Sequence, residues 1–119
     1  MLSIAQSSRV FLCVTPTDMR KSFDSLAALV AEELGGDPFS GHWFVFRSKR
    51  GDRVKILAWD RDGLTLYYKR LEEGVFRFPS AGDPKAKRFE VTAEELSLLL
   101  WGIELSSVRR QKRYHRPVV

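Results

Sequence analysis

Asp60 and Asp62, close together beside Trp59, are the residues of this chain that most resemble the start of a metal-dependent catalytic centre. A two-metal nuclease needs several carboxylates converging on ions about 4 Å apart. Here the stretch reads "ILAWDRDGLTLYYKRL" (Ile56 to Leu71), and its D-G pair lies between two runs of β-formers, a strong hairpin signal. Aspartate and glycine suit such turns because they tolerate left-handed backbone angles and cap nearby amides. The remaining acids are scattered singly or fall on expected helix surfaces. The pair therefore reads as a turn, and no catalytic residue is expected.

Other chemistry fares no better. His42 and His115 lie far apart with no cysteine pair near either, so no zinc signature exists. No G-x-S-x-G, P-loop or G-x-G-x-x-G pattern occurs. Ser22 and Ser25 have no histidine within reach by sequence. The single cysteine, Cys13, sits in an apolar run without an adjoining base, which reads as a buried small hydrophobe in a reducing cytoplasm. The expectation is a cytoplasmic, non-enzymatic protein with no cofactor, no metal and no small-molecule substrate. Neither a secretory leader nor a membrane span is expected.

The net charge of +5 becomes informative once it is located. Residues 109–119, "RRQKRYHRPVV", hold Arg109, Arg110, Lys112, Arg113 and Arg116 and no acid. Without them the remaining bases equal the 15 acids, so the excess belongs to this tail. Residues 47–88 are also basic, with 12 bases against 6 acids. These are two candidate surfaces for a polyanion. Charged termini also occur merely as solubilising ends.

The elements that would position these charges can be read from periodicity. "RVFLCVT" (Arg9 to Thr15) reads as a strand. Met19, Phe23, Leu26, Val30 and Leu34 form one helical stripe, predicting a helix over Thr17–Leu34 capped by Thr17 or Asp18 and stopped at Gly35-Gly36. Beyond "DPFSG" the period shortens to about two. Four strands are expected at His42–Arg47, Arg53–Trp59, Leu64–Leu71 and Val75–Phe78. Their short glycine-bearing connections permit only antiparallel neighbours. "PSAGDPKAKR" (Pro79 to Arg88) reads as a loop. Thr92 and Glu95 then form a capping box ahead of a short helix, Ala93–Trp101.

Alternation assigns Val54, Ile56 and Ala58 to one sheet face, and Arg53, Lys55, Leu57 and Trp59 to the other. The first face is apolar and suits the helices. The second is expected to be mixed, with bases interleaved with Trp59 and Tyr67. Such a face suits nucleic acid, where cations meet phosphates and rings stack on bases. It equally suits a protein partner, with Trp43, Trp59, Tyr67, Tyr68 and Trp101 as anchors. An ordinary solvated face is the third possibility. The nucleic-acid candidates are Arg20, Lys21, Lys49, Arg50, Arg53, Lys55, Lys69, Arg70, Arg77 and the five tail bases.

The order of motifs carries a resemblance. "DMRKSFDSLAALV" (Asp18 to Val30), "DPFSGHWFVFRSKRGDRVKILAWDRDGLTLYYKRLEEGVFRFP" (Asp37 to Pro79) and "ELSLLLWGI" (Glu95 to Ile103) look like TnpB, the accessory protein (transposase Orf2-like) of IS-sixty-six type bacterial insertion sequences. It covers roughly residues 9–105. The resemblance implies a mobile-element protein made beside a separate, larger transposase that carries the catalytic acids. It brings no catalytic residues. In its helical motif, Asp18, Arg20, Lys21, Phe23 and Asp24, the phenylalanine is expected in the core; Arg20 and Lys21 would contact DNA or hold the sheet through ion pairs.

The combined expectation is one α+β domain over residues 1–108 with a basic C-terminal tail over 109–119. An antiparallel β-meander of four to five strands packs against one long helix, with a second short C-terminal helix at an edge. The expected role is assistance in DNA transposition through DNA binding. The alternative is an interaction module that docks the transposase or another element-encoded protein.

Overall fold

In the computed structural model, which describes residues 7–102, the runs of β-formers assemble into a five-stranded mixed sheet. The elements, in chain order, are β1 (Val10–Cys13), α1 (Phe23–Glu32), β2 (Trp43–Arg47), β3 (Arg53–Asp60), β4 (Gly63–Arg70), β5 (Arg88–Val91) and α2 (Ala93–Leu100). The sheet order is β4-β3-β2-β1-β5. β2, β3 and β4 form an antiparallel meander, three of the four strands expected of it. β1 joins it in parallel beside β2, with Phe11 opposite Phe44, and β5 closes the far edge antiparallel to β1. The parallel step is possible because the chain between β1 and β2 is long enough to carry α1.

Two cores result, one on each face. Phe11, Cys13, Phe44, Phe46 and Leu57 meet Leu26, Ala27, Val30 and Leu34 of the α1 segment. On the opposite face Val10, Leu12, Val45, Val54, Ile56 and Ala58 meet Leu96 and Leu99 of α2, together with Phe76. A sheet covered on both sides explains the near-continuous burial of β1, β2 and β3, which a single apolar face would not give.

Several expectations are corrected, the first being the antiparallel sheet, which is mixed because β1 runs parallel to β2. The long helix is a short one of 10 residues. Asp18 does not start it: its carboxylate takes the Arg20 amide at 2.9 Å, and the Lys21 amide bonds the Asp18 carbonyl at 3.1 Å. This local turn competes with helical bonding, and the helix begins after Ser22, whose amide donates to Ser25 Oγ at 2.9 Å. Phe23, at the first helical turn, is consequently 44% exposed rather than in the core.

Val75–Phe78 is not a strand. Gly74, at φ +85°, turns the chain after β4, and the Phe76 amide bonds the Gly51 carbonyl at 2.7 Å. Phe76 and Phe78 pack into the α2-side core from irregular backbone, so their alternate spacing is satisfied without a ladder. The missing strand is β5, inside the "RFEV" alternation. The second helix, capped as expected by reciprocal Thr92–Glu95 bonds of 2.9 and 3.0 Å, covers a face rather than an edge. Among the described residues no helix is long and apolar enough to cross a membrane.

Candidate nucleic-acid interface

Of the sequence-nominated cations, Arg53, Lys55, Lys69 and Arg70 are placed by the ladder between β3 and β4. Lys55 lies near its middle and is only 5% exposed. Its Nζ donates to the carbonyls of Met19 at 2.7 Å and Lys21 at 2.6 Å, and sits 4.5 Å from the Tyr68 ring centroid. The ammonium thus caps the turn ahead of α1 and has no open path to a phosphate. The mixed, solvent-facing sheet surface does not exist in the expected form. Trp59 and Tyr67 lie on opposite faces, since Ile56 is the partner of Tyr67 while Trp59 pairs with Leu64.

Bases gather instead at one end of the sheet. Arg53 and Arg70 stand directly opposite each other in the register. Arg53 Nη1 donates to the Tyr68 hydroxyl at 3.1 Å, and Arg70 makes a 3.5 Å exposed ion pair with Glu72. These residues with Tyr68 line a shallow depression of about 430 Å³. The β2–β3 connection carries exposed Lys49 and Arg50 to the same end. Gly51, at φ +83°, makes that turn; an added Cβ would also lie 3.3 Å from Val75. The turn is tied to the segment after β4, because Asp52 accepts the Leu71 amide at 2.8 Å and Gly51 accepts that of Phe76. Arg70 and Arg77 are thereby brought beside Lys49 and Arg50. Lys69, partner of Val54, emerges on the other face at this end.

Among the described residues Lys49, Arg50 and Lys69 form no ion pair, whereas Asp52, Glu72 and Glu73 are the acids interspersed there. Like charges directly across a strand pair are destabilising.

The helical-motif residues divide differently. The Arg20 side chain is 92% exposed and pairs with Asp18 at 2.7 Å. Hydrogen bonds from the Arg20 side chain, then from its amide, hold the Asp18 carboxyl down at about 2. Arg20 is therefore not an ion-pair brace for the sheet. Lys21 contributes through its backbone carbonyl, held by Lys55.

Asp60 and Asp62 occupy the opposite end of the ladder. Asp60 pairs with Gly63 across a two-residue hairpin, in which Arg61 takes the positive φ of 58°. Among the described residues no three His, Cys, Asp or Glu side chains gather as a metal-binding group. Of the aromatic candidates, Trp43 is buried at 7% exposure, and Tyr67 packs half-buried on the α2-side core. Trp59 meets Phe39 edge-on at 5.5 Å. Tyr68 and Trp101 are exposed, as is Phe39, which sequence reading missed inside the "DPFSG" turn. The five tail bases, Arg109 to Arg116, lie outside the described residues.

The molecule is thus a small α+β protein, cored on both sheet faces, with a cation-rich end. Its sequence fixes the family. Residues 8–110 match the family model described as "IS66 Orf2 like protein", and the chain belongs to that family of insertion-sequence accessory proteins. Among its relatives are two from Sinorhizobium fredii (strain NBRC 101917 / NGR234). The uncharacterized protein y4jC is 37% identical over 111 residues, spanning 93% of this chain and 92% of the relative. The uncharacterized protein y4hO is 39% identical over 104 residues, spanning 87% and 88%. No solved structure matches the chain.

Proposed function

We propose that this insertion-sequence accessory protein assists transposition without catalysing it, by binding DNA through the basic end of its sheet and its C-terminal tail. The observation that carries the reading is the Arg53–Arg70 cross-strand pair beside the exposed Lys49–Arg50 turn. This cluster forgoes stability to hold cations together, as a phosphate-binding surface requires. The tail adds five bases within residues 109–116. The test is binding of duplex and single-stranded element-end DNA across a salt series, with the full chain compared to one ending at Ser107. Binding should weaken steeply with salt, by a slope of about 0.9 per phosphate neutralised on duplex DNA. Absence of affinity even at low salt defeats the reading. Unchanged binding after truncation assigns it to the sheet end alone.

Exposed aromatics favour a second reading, in which the chain docks the transposase or another element-encoded protein. Trp101 is 64% exposed, and Tyr68 and the Phe39–Trp59 pair present further rings. Rings of this kind are typical interface anchors; the buried Trp43 and the core-packed Tyr67 are not available for that role. Co-purification of the element's proteins after nuclease treatment separates docking from tethering by DNA.

A further inference from the structure

The two edges of the sheet are built differently. β5 has only four residues, of which Arg88 and Glu90 are charged. Short, charged strands are a usual protection of an edge against further pairing. β4 has eight residues, and its first six, GLTLYY, contain neither charge nor proline. Its register against β3 runs unbroken from Asp60–Gly63 to Arg53–Arg70. The Leu71 amide bonds the Asp52 carbonyl, which sets the phase of the ladder. Because bonded and non-bonded pairs alternate, Thr65, Tyr67 and Lys69 bond inward to β3. Leu64, Leu66 and Tyr68 turn their backbone groups outward. Among the described residues no strand covers that side.

We propose that β4 pairs antiparallel with β4 of a second copy of this chain, about a twofold axis at Leu66. Charge selects both the partner and the direction. β4 is preceded by Asp62 in the hairpin turn and ends on Lys69 and Arg70. A parallel neighbour would set like charge on like; an antiparallel one sets acid on base. Hydrogen bonding requires outward-facing residues to oppose each other, which permits axes at Leu66 or Tyr67 near the strand centre. An axis at Tyr67 brings Asp62 opposite Glu72, whereas one at Leu66 brings Asp62 opposite Arg70 and Leu64 opposite Tyr68. The twofold repeats each favourable contact. Half-buried Leu64 and Leu66, with exposed Tyr68, would then lose contact with water.

This association does not depend on DNA, so its failure would leave the DNA-binding reading intact. Sedimentation equilibrium of the full chain, free of DNA, should show a reversible dimer. The amides of Leu64, Leu66 and Tyr68 should gain hydrogen-exchange protection as concentration rises. Asp62→Arg and Arg70→Asp should each weaken the dimer by about tenfold, since each mismatch occurs twice. The double exchange should restore it. A chain monomeric up to its solubility limit overturns the proposal, as does a dimer indifferent to both single changes. A double variant that associates no better than the singles overturns it too.

Discussion

The ladder between β3 and β4 has two ends that use the same backbone geometry for opposite purposes. At one end Asp60 and Gly63 close a hairpin, and its acids are turn residues. At the other, Arg53 faces Arg70, and the connections on either side add Lys49, Arg50 and Arg77. Lys55 lies between them and resembles the second group in sequence, yet its ammonium is consumed by two main-chain carbonyls. The lesson is that a cation's role follows from what surrounds its head group, which alternation along a strand does not report.

Changing Lys55 should give the largest effect. Lys55→Met leaves two carbonyls without their charged donor, and should lower stability by about 3 kcal/mol in urea denaturation. A loss no larger than that of an ordinary surface change would return Lys55 to the binding group. Next, Arg53→Ala with Arg70→Ala should reduce affinity for DNA by about tenfold at low salt and flatten the salt slope by up to about 2. Stability should hold or rise slightly, because a like-charge pair is removed. Equal loss of folding and binding would erase the distinction between Lys55 and these arginines.

At the acidic end, Arg61→Gly should raise stability by about 0.5–1 kcal/mol, since glycine takes the observed positive φ without steric cost. DNA affinity should stay nearly unchanged, read in the same titrations. The smallest effect concerns Asp18, whose carboxyl is held at about 2 by hydrogen bonds from Arg20. A folded-state value below the unfolded one adds stability above the ordinary carboxylate range, near 4. That contribution should disappear as pH falls from about 4 towards 2. Asp18→Asn should therefore differ from the unaltered chain in urea midpoint at pH 6 and converge with it near pH 2. A constant gap across that window would mean that the turn does not depend on the charge.

Much of the scaffold was legible because it is local. The period-two runs of β2, β3 and β4 with their short turns dictated the meander. The reciprocal bonds of Thr92 and Glu95 followed from their spacing, and Leu26, Val30 and Leu34 marked the packed side of α1. What escaped was set by distant partners. Nothing in residues 9–15 says that they lie parallel to β2, and "RFEV" is too short to announce a strand without β1 beside it. The binding candidates erred for the same reason. Leu57, buried between Lys55 and Trp59, was the available sign that their face is covered. The grouping of Lys49, Arg50 and Arg70 depended on the Leu71 and Phe76 amides crossing to Asp52 and Gly51, which no period reveals.

The clasp on the Met19 and Lys21 carbonyls has a practical corollary. Its donor sits 36 and 34 residues further along the chain, so a synthetic peptide spanning residues 18–30 would lack the fastener that shapes its first turn. In the folded protein the segment takes a form that depends on the assembled sheet. Antibodies or screens raised against the isolated fragment would be expected to select a different shape.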